Sequence, residues 1–389
     1  MTGGDQIRFP RLYLHLFASA ACVLPVASYL LSALGWGPAD IGVGTAALGV
    51  AGTVASPFWG WLDDHTGWAP RAAMLASAAA AGATALTLGR LPHPATWAGL
   101  ALFGATQGSL DALLTTRILE SGVHGRRLGR IRAYGSLGWV LGLAAAASVL
   151  TVWPDHAPWV FLTAAVLAAT APRSWGSRSR NHPADGSAAG SRAPVPVRPV
   201  LGVLAFTFPT AVVMSAVVQF TAGWAHEVLV AGPFLALTPI ALSAALELPA
   251  FPWVDRMAHR YPALLLAVLA GPPLAVSTAA LALVPSAVVM IAVQPLIAVS
   301  FALLFVGQSR MLARSVDAGR QASAQTLGAA LSTGFGGLLA GTVGGRLAQA
   351  AGYGGLFAAL GVIALVGVVP GVVALARSRH RLAADLPLR

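Results

Sequence analysis

The sequence predicts an all-α membrane protein of twelve transmembrane helices in two pseudo-symmetric six-helix halves, with both chain ends cytoplasmic. Three observations predict it. The 389 residues are 57% hydrophobic and only 10% charged, with mean hydropathy +0.74, and so few charges could not cover the surface of a soluble domain this large. Apolar runs recur along the whole length, most of them near the ~20 residues that carry a helix across the hydrocarbon core. The stretch 174–198 turns abruptly to Ser, Gly, Pro and Arg and divides those runs six and six.

In chain order the runs are 12–34, 41–62, 71–89, 95–119, 133–152 and 157–172, then 199–223, 228–252, 262–284, 286–309, 321–348 and 353–376. Helices are expected throughout, because a membrane helix satisfies its own backbone within the segment. The first run is too long for a cleaved signal peptide and leads straight into a second. The layout gives a first half over 1–173, a flexible cytoplasmic linker over 174–198, a second half over 199–376 and a cytoplasmic tail over 377–389. Pro199, Pro209, Pro249, Pro252 and Pro295 fall in or at the ends of spans, as kinks or as gating hinges. Gly135, Gly138 and Gly142 form one stripe at helix-packing spacing, and Gly337, Gly341 and Gly345 form another.

Charge orients the spans. The formal net charge is +11 with a pI near 11.3, and every cation is arginine. With the N-terminus inside, residues such as Arg8, Arg71, Arg126, Arg256, Arg314 and Arg377 fall in or beside cytoplasmic segments, whereas Arg90 and Arg346 fall at outer ends. Dispersal over alternate loops argues for the positive-inside rule and against nucleic-acid binding. Exclusive use of arginine points to a high-GC bacterium and hence its cytoplasmic membrane. Cys22 is the single cysteine, which excludes intramolecular disulfides and thiolate metal cages. Phosphate-binding glycine loops, metal-ligand spacings and nucleophile elbows are missing at any sensible depth, so no cofactor, no metal and no enzymatic activity is expected.

Asp111 and Glu247 are lone carboxylates deep in apolar runs, one in each half. An acid at such a depth costs about 2.5–3.5 kcal/mol on insertion scales and rarely persists without a role. Arg132 stands at the start of the span after Asp111. Its rigid fork of donors suits a carboxylate or vicinal hydroxyls, and Trp139 offers a flat face for a sugar ring, a base or an aryl group. The same residues also fit plainer roles: an ion pair tying two helices, and a packing tryptophan. Gln107 beside Asp111 and His15 on the first span are further polar groups at membrane depth. Gln219, Gln294, Gln308 and Gln325 suit helix bridging as well as solute contact.

The segment joining the second and third spans, Gly60-Trp61-Leu62-Asp63-Asp64-His65-Thr66-Gly67-Trp68-Ala69-Pro70-Arg71, resembles the signature loop of the major facilitator superfamily. Gly60, Asp64, Gly67 and Arg71 fit that gating turn, and Asp255-Arg256 is a degenerate echo in the second half. Leu128-Gly129-Arg130-Ile131-Arg132, followed by Trp139, is similar to the segment opening the fifth helix in the lactose permease and phenylpropionate permease branch. The resemblance implies that Arg132 and Trp139 contact solute, that Asp111 partners the arginine, and that Glu247, within Leu246-Glu247-Leu248, couples binding to protonation. The branch's histidine and glutamate on the tenth helix are replaced by Ile297 and Ser300, and the ninth span has no charge. Lactose is therefore not the expected solute.

The resulting expectation is a monomeric secondary carrier working by alternating access. Asp111, Arg132, Trp139 and Gln107 would bind a sugar-like, nucleoside-like or aryl-acid solute, and Glu247 with Asp111 would carry the proton. Its partners are that solute, protons and the lipid bilayer. An efflux carrier of the same fold is the nearest alternative, and a membrane sensor or intramembrane enzyme is a more distant one.

Overall fold

The structure, a computed structural model, describes residues 3–66, 69–87, 92–108, 110–111, 113–114, 128–152, 158–170, 197–316 and 321–384, with side chains given for most of them. The described residues are helical almost throughout, as a chain that must hide its backbone from lipid requires. Eight helices among them are long and apolar enough to cross a membrane, and Arg71–Leu86 and Trp159–Ala169 are shorter apolar helices.

In the first half the helices are α1 (Gly3–Ala21), α2 (Val26–Ala33), α3 (Pro38–Thr66), α4 (Ala69–Thr87), α5 (His93–Gln107), α6 (Leu128–Val152) and α7 (Pro158–Ala169). In the second half they are α8 (Val197–Leu229), α9 (Pro233–Ala258), α10 (Ala263–Leu269), α11 (Gly271–Leu283), α12 (Ala287–Ala292), α13 (Gln294–Ser315), α14 (Gln321–Ala329), a π-helical turn (Ala330–Phe335) and α15 (Gly336–Ala384). The chain reverses within α15 at Gly352, whose φ of 71° is a left-handed value that a side chain would strain. α1 starts and α15 ends at the same end of the bundle; the opposite end, which holds the turns at 34–37 and 230–232, is called distal below.

Pro199 lies in the first turn of α8 and Pro295 opens α13 after a break, as expected, but the other three prolines interrupt nothing. α8 runs unbroken through Pro209, and α9 through Pro249 and Pro252. The breaks fall at Cys22–Pro25, at Ala270 and, with Pro295, at Val293, each just before or at a proline that opens the next helix. Proline's fixed φ and missing N–H suit a first helical turn better than an interior one. α8 also extends to Leu229, past the apolar run ending at 223, and so carries His226 and Glu227 on a helix rather than in a loop.

Small residues set the tightest contacts. A Cβ on Gly138 would overlap the Leu14 carbonyl, and one on Gly142 the Ala18 carbonyl, so the Gly138–Gly142 stripe of α6 lies directly on α1. Cys22 is buried there and its thiol donates to the Gly142 carbonyl at 3.4 Å, in keeping with a small packing residue. Among the described residues the two halves meet chiefly along three seams: α3 against α15 and the π turn, α6 against α9, and α2 against α8. In the first, Gly341 abuts Gly42, and a Cβ on Gly345 would lie 2.6 Å from the Pro38 carbonyl oxygen.

Candidate functional site

The α6–α9 seam brings the candidate acid of the second half against the first half. Leu128–Val152 reads as a membrane helix of small and aliphatic residues, and Ser136 stands two turns inside it, almost fully buried. Ser136 Oγ donates to Glu247 Oε2 at 3.1 Å. Glu247 is partly buried midway along α9, where a carboxylate with few water partners depends on protein donors. Trp139 sits about one turn beyond Ser136 on α6. It packs on the core and lies 6.3 Å from Phe17 of α1, which stacks on Tyr13 at 5.7 Å. The result is a pair of aromatic faces, Phe17 and Trp139, backed by the fully buried Tyr13 and lying along α6 from the Ser136–Glu247 bond; such faces suit a flat or ring-shaped group.

On the second half, Phe251 lies one turn after Glu247 and packs edge-on against Phe301 at 6.0 Å and Phe305 at 5.7 Å. Phe17 and Phe251 carry no sequence signal that separates them from ordinary core aromatics.

Asp111 lies on the short helical stretch after α5. Its Oδ1 is buried without a hydrogen-bond partner among the described residues, as is His15 Nδ1. The side chain of Arg132 lies outside the described residues, so its pairing with Asp111 stays an expectation. Gln107, one turn before Asp111, is buried with both ends of its amide engaged: Oε1 accepts from Ser77 Oγ at 2.9 Å and Nε2 donates to the Leu16 carbonyl at 2.9 Å. It ties α5 to α4 and α1 and so fixes the helix leading to Asp111.

Of the gating-loop residues, Arg71 is exposed at the start of α4. Gly67 and the side-chain environment of Gly60 and Asp64 lie outside the described residues. In the second half, Asp255 stands 3.8 Å from the Arg310 guanidinium of α13, and Arg310 also donates to the Ala258 carbonyl at the end of α9. A cation at a helix C-terminus satisfies an orphan carbonyl and meets the negative end of the dipole.

Of Gln219, Gln294, Gln308 and Gln325, three bridge elements. Gln219 on α8 accepts from Thr45 Oγ1 at 3.1 Å and donates to the Gly337 carbonyl at 3.1 Å, joining α3, α8 and α15. Gln308 donates to Ser332 Oγ in the π turn at 3.1 Å, and Gln325 to the Ser309 carbonyl at 2.6 Å. Gln294 donates to the Met290 carbonyl one turn back at 2.7 Å, closing the gap where α12 gives way to α13.

The comparisons agree with this architecture. A point mutant of the nucleoside transporter NupG superposes with TM-score 0.75 at 15% identity, covering 94% of this chain and 98% of that one. A POT family transporter in complex with a thioalcohol-conjugated peptide gives 0.71 at 13% identity, covering 96% of each chain. A POT family transporter in complex with 5-aminolevulinic acid also gives 0.71 at 13%, covering 95% of each. At such identities the likeness concerns the fold. No curated protein matches the sequence significantly. The model of the MFS_1 like family matches residues 7–359, nearly the whole chain. The chain therefore belongs to the MFS_1 like family and is a multi-pass membrane transporter of the major facilitator type, not an enzyme.

Proposed function

We propose that the chain is a proton-coupled carrier for a small sugar-like, nucleoside-like or aryl-bearing solute, working by alternating access between two six-helix halves. In this reading both termini face the cytoplasm of a bacterial cell and the distal end faces out. The protein acts as a monomer, with residues 1–173 and 199–376 as its rocking bodies. The observation that carries it is the Ser136–Glu247 hydrogen bond at 3.1 Å, which puts an ionisable group at the junction of the halves about one turn from Trp139.

The chemistry follows from that placement. As a carboxylate, Glu247 accepts from Ser136 and holds α9 to α6. On protonation it becomes a donor with weaker acceptor oxygens, and the attraction across the seam falls. Solute stacked on Trp139 and Phe17 and held by Asp111 and Arg132 would bias the same seam, so binding and protonation are linked through one movement. Gln107 supports this by holding the Asp111 segment rather than by reaching the solute with a free amide.

The test is reconstitution in vesicles loaded with a pH-sensitive dye, screening sugars, nucleosides and aryl acids for solute-triggered proton movement. A proton signal in the wild-type protein that is absent in Glu247→Gln is expected. Labelled flux with no proton signal would remove the coupling role of Glu247, and the sign of the proton movement separates uptake from export.

A further inference from the structure

The α2–α8 seam contains an acid that no part of the proposed solute site uses. Glu227 Oε1 accepts from Ser32 Oγ of the first half at 2.9 Å and from the Tyr353 hydroxyl of the second half at 3.0 Å. The surrounding contacts repeat at helical spacing on both helices. A Cβ on Gly223 would lie 3.3 Å from the Ser28 carbonyl oxygen, and the His226 ring meets Tyr29 edge-on at 5.0 Å. Residues 28, 29 and 32 of α2 thus face 223, 226 and 227 of α8, a continuous stripe on each helix. Ser32, Tyr29 and Tyr353 are nearly or wholly buried, whereas Glu227 stands exposed at the rim of the distal end.

The two bonds to Glu227 have different consequences. Tyr353 and Glu227 both belong to the second half, so their bond only orients the carboxylate. Ser32 belongs to the first half, so its bond must break if the halves part at the distal end. Breaking it exchanges the bond for water on both partners, so it contributes the net worth of a hydrogen bond to a charged group to the closed state.

We infer that Glu227 is the positioning residue that latches the distal end shut, through Ser32 across the halves and with Tyr353 holding it in place. The inference rests on the alternating-access reading for what the latch opens onto, but not for its geometry.

The test measures distances between spin labels at two exposed distal positions, Leu34 in the first half and Leu283 in the second, each replaced by cysteine in a full-length Cys22→Ser background in lipid nanodiscs. The wild-type protein should give mainly one short distance. Glu227→Ala and Ser32→Ala should each shift the closed-to-open ratio roughly tenfold, the scale of one hydrogen bond to a charged group. The double variant should show no further shift, because both changes remove the same bond. Tyr353→Phe should give a smaller shift in the same direction. Unchanged distances in both single variants, in protein that melts as the wild type does, overturn the latch. A shift with Tyr353→Phe but not with Ser32→Ala overturns it as well, because the effect then arises inside the second half. Flux of a solute in vesicles of the same preparations separates the failures: if flux persists only the latch fails, and if it is absent the transport reading fails too.

Discussion

The α3–α15 and α6–α9 seams join the same two halves by opposite means. Along α3–α15 the contact is backbone on backbone. Gly42 abuts Gly341, Gly345 lies under the Pro38 carbonyl, and a Cβ on Gly341 would sit 2.9 Å from Ala46 Cβ and 3.0 Å from Gln219 Oε1. Along α6–α9 a side-chain contact crosses the halves, where a serine is held by an ionisable acid. Glycine contacts respond to shape and hardly at all to protonation. A serine–carboxylate contact responds to both. Under the proposed function the first seam gives steric guidance and the second coupling, and each role can be broken separately.

The largest effect is expected at the glycine seam. Gly42→Val should cost at or above the ~3 kcal/mol upper range of overpacking, since its neighbour is a carbonyl that cannot rotate away. Thermal unfolding in detergent and vesicle flux should both fall sharply. Gly82→Ala and Gly202→Ala provide the contrast, because a Cβ at either position meets nothing within 4 Å. An alanine there should be neutral or raise stability by roughly 0.5–1 kcal/mol. Equal losses at all three positions would end the argument that close approach, and not glycine content, shapes this seam.

At the second seam, Glu247→Gln should reverse the pattern. The solute-triggered proton signal should be lost, because glutamine carries no titratable proton, while the unfolding midpoint moves little because glutamine keeps the shape and an acceptor. Trp139→Ala should weaken apparent solute affinity roughly threefold to tenfold, as expected for losing an aromatic stack, and Trp139→Phe should recover most of it. A Trp139→Ala variant with unaltered affinity would move the solute away from the wall formed with Phe17.

The fold was legible because a bilayer leaves few choices: long apolar runs must be helices, and the described parts of the runs are helical apart from short breaks such as those at Cys22–Pro25, Ala270 and Val293. Glu247 was legible for the same reason, as an acid where acids are costly. Glu227 was not. Its neighbour His226 and the end of the apolar run at 223 read as a loop, and only the extension of α8 to Leu229 puts it opposite Ser32. Nothing in a spacing rule brings positions 195 residues apart into contact. The π turn at Ala330–Phe335 was equally hidden, since Ala-Leu-Ser-Thr-Gly-Phe suits an α-helix as well. Packing selects it: Thr53 of α3 reaches the Ala330 carbonyl at 3.4 Å and fills the space a side chain on Gly334 would need.

The smallest expected effect discriminates most finely, because both seams contain a hydroxyl that crosses the halves. Thr45 Oγ1 lies within hydrogen-bond distance of the Ile41 carbonyl at 3.0 Å, the Gly42 carbonyl at 3.1 Å and Gln219 Oε1 at 3.1 Å. One hydroxyl proton cannot serve three acceptors, so its bond to Gln219 is shared with the backbone of its own helix. Thr45→Val should therefore cost about 0.5 kcal/mol or less, at the low end for a neutral hydrogen bond. Ser136 donates across the seam to a carboxylate, and Ser136→Ala should cost about 1.5–3 kcal/mol, with a change in the pH dependence of flux that Thr45→Val lacks. Measuring both variants for unfolding midpoint and for flux against pH decides the matter. A larger loss at Thr45 would mean that the glycine seam also depends on its polar bridge, and the division between steric guidance and coupling would no longer follow the two seams.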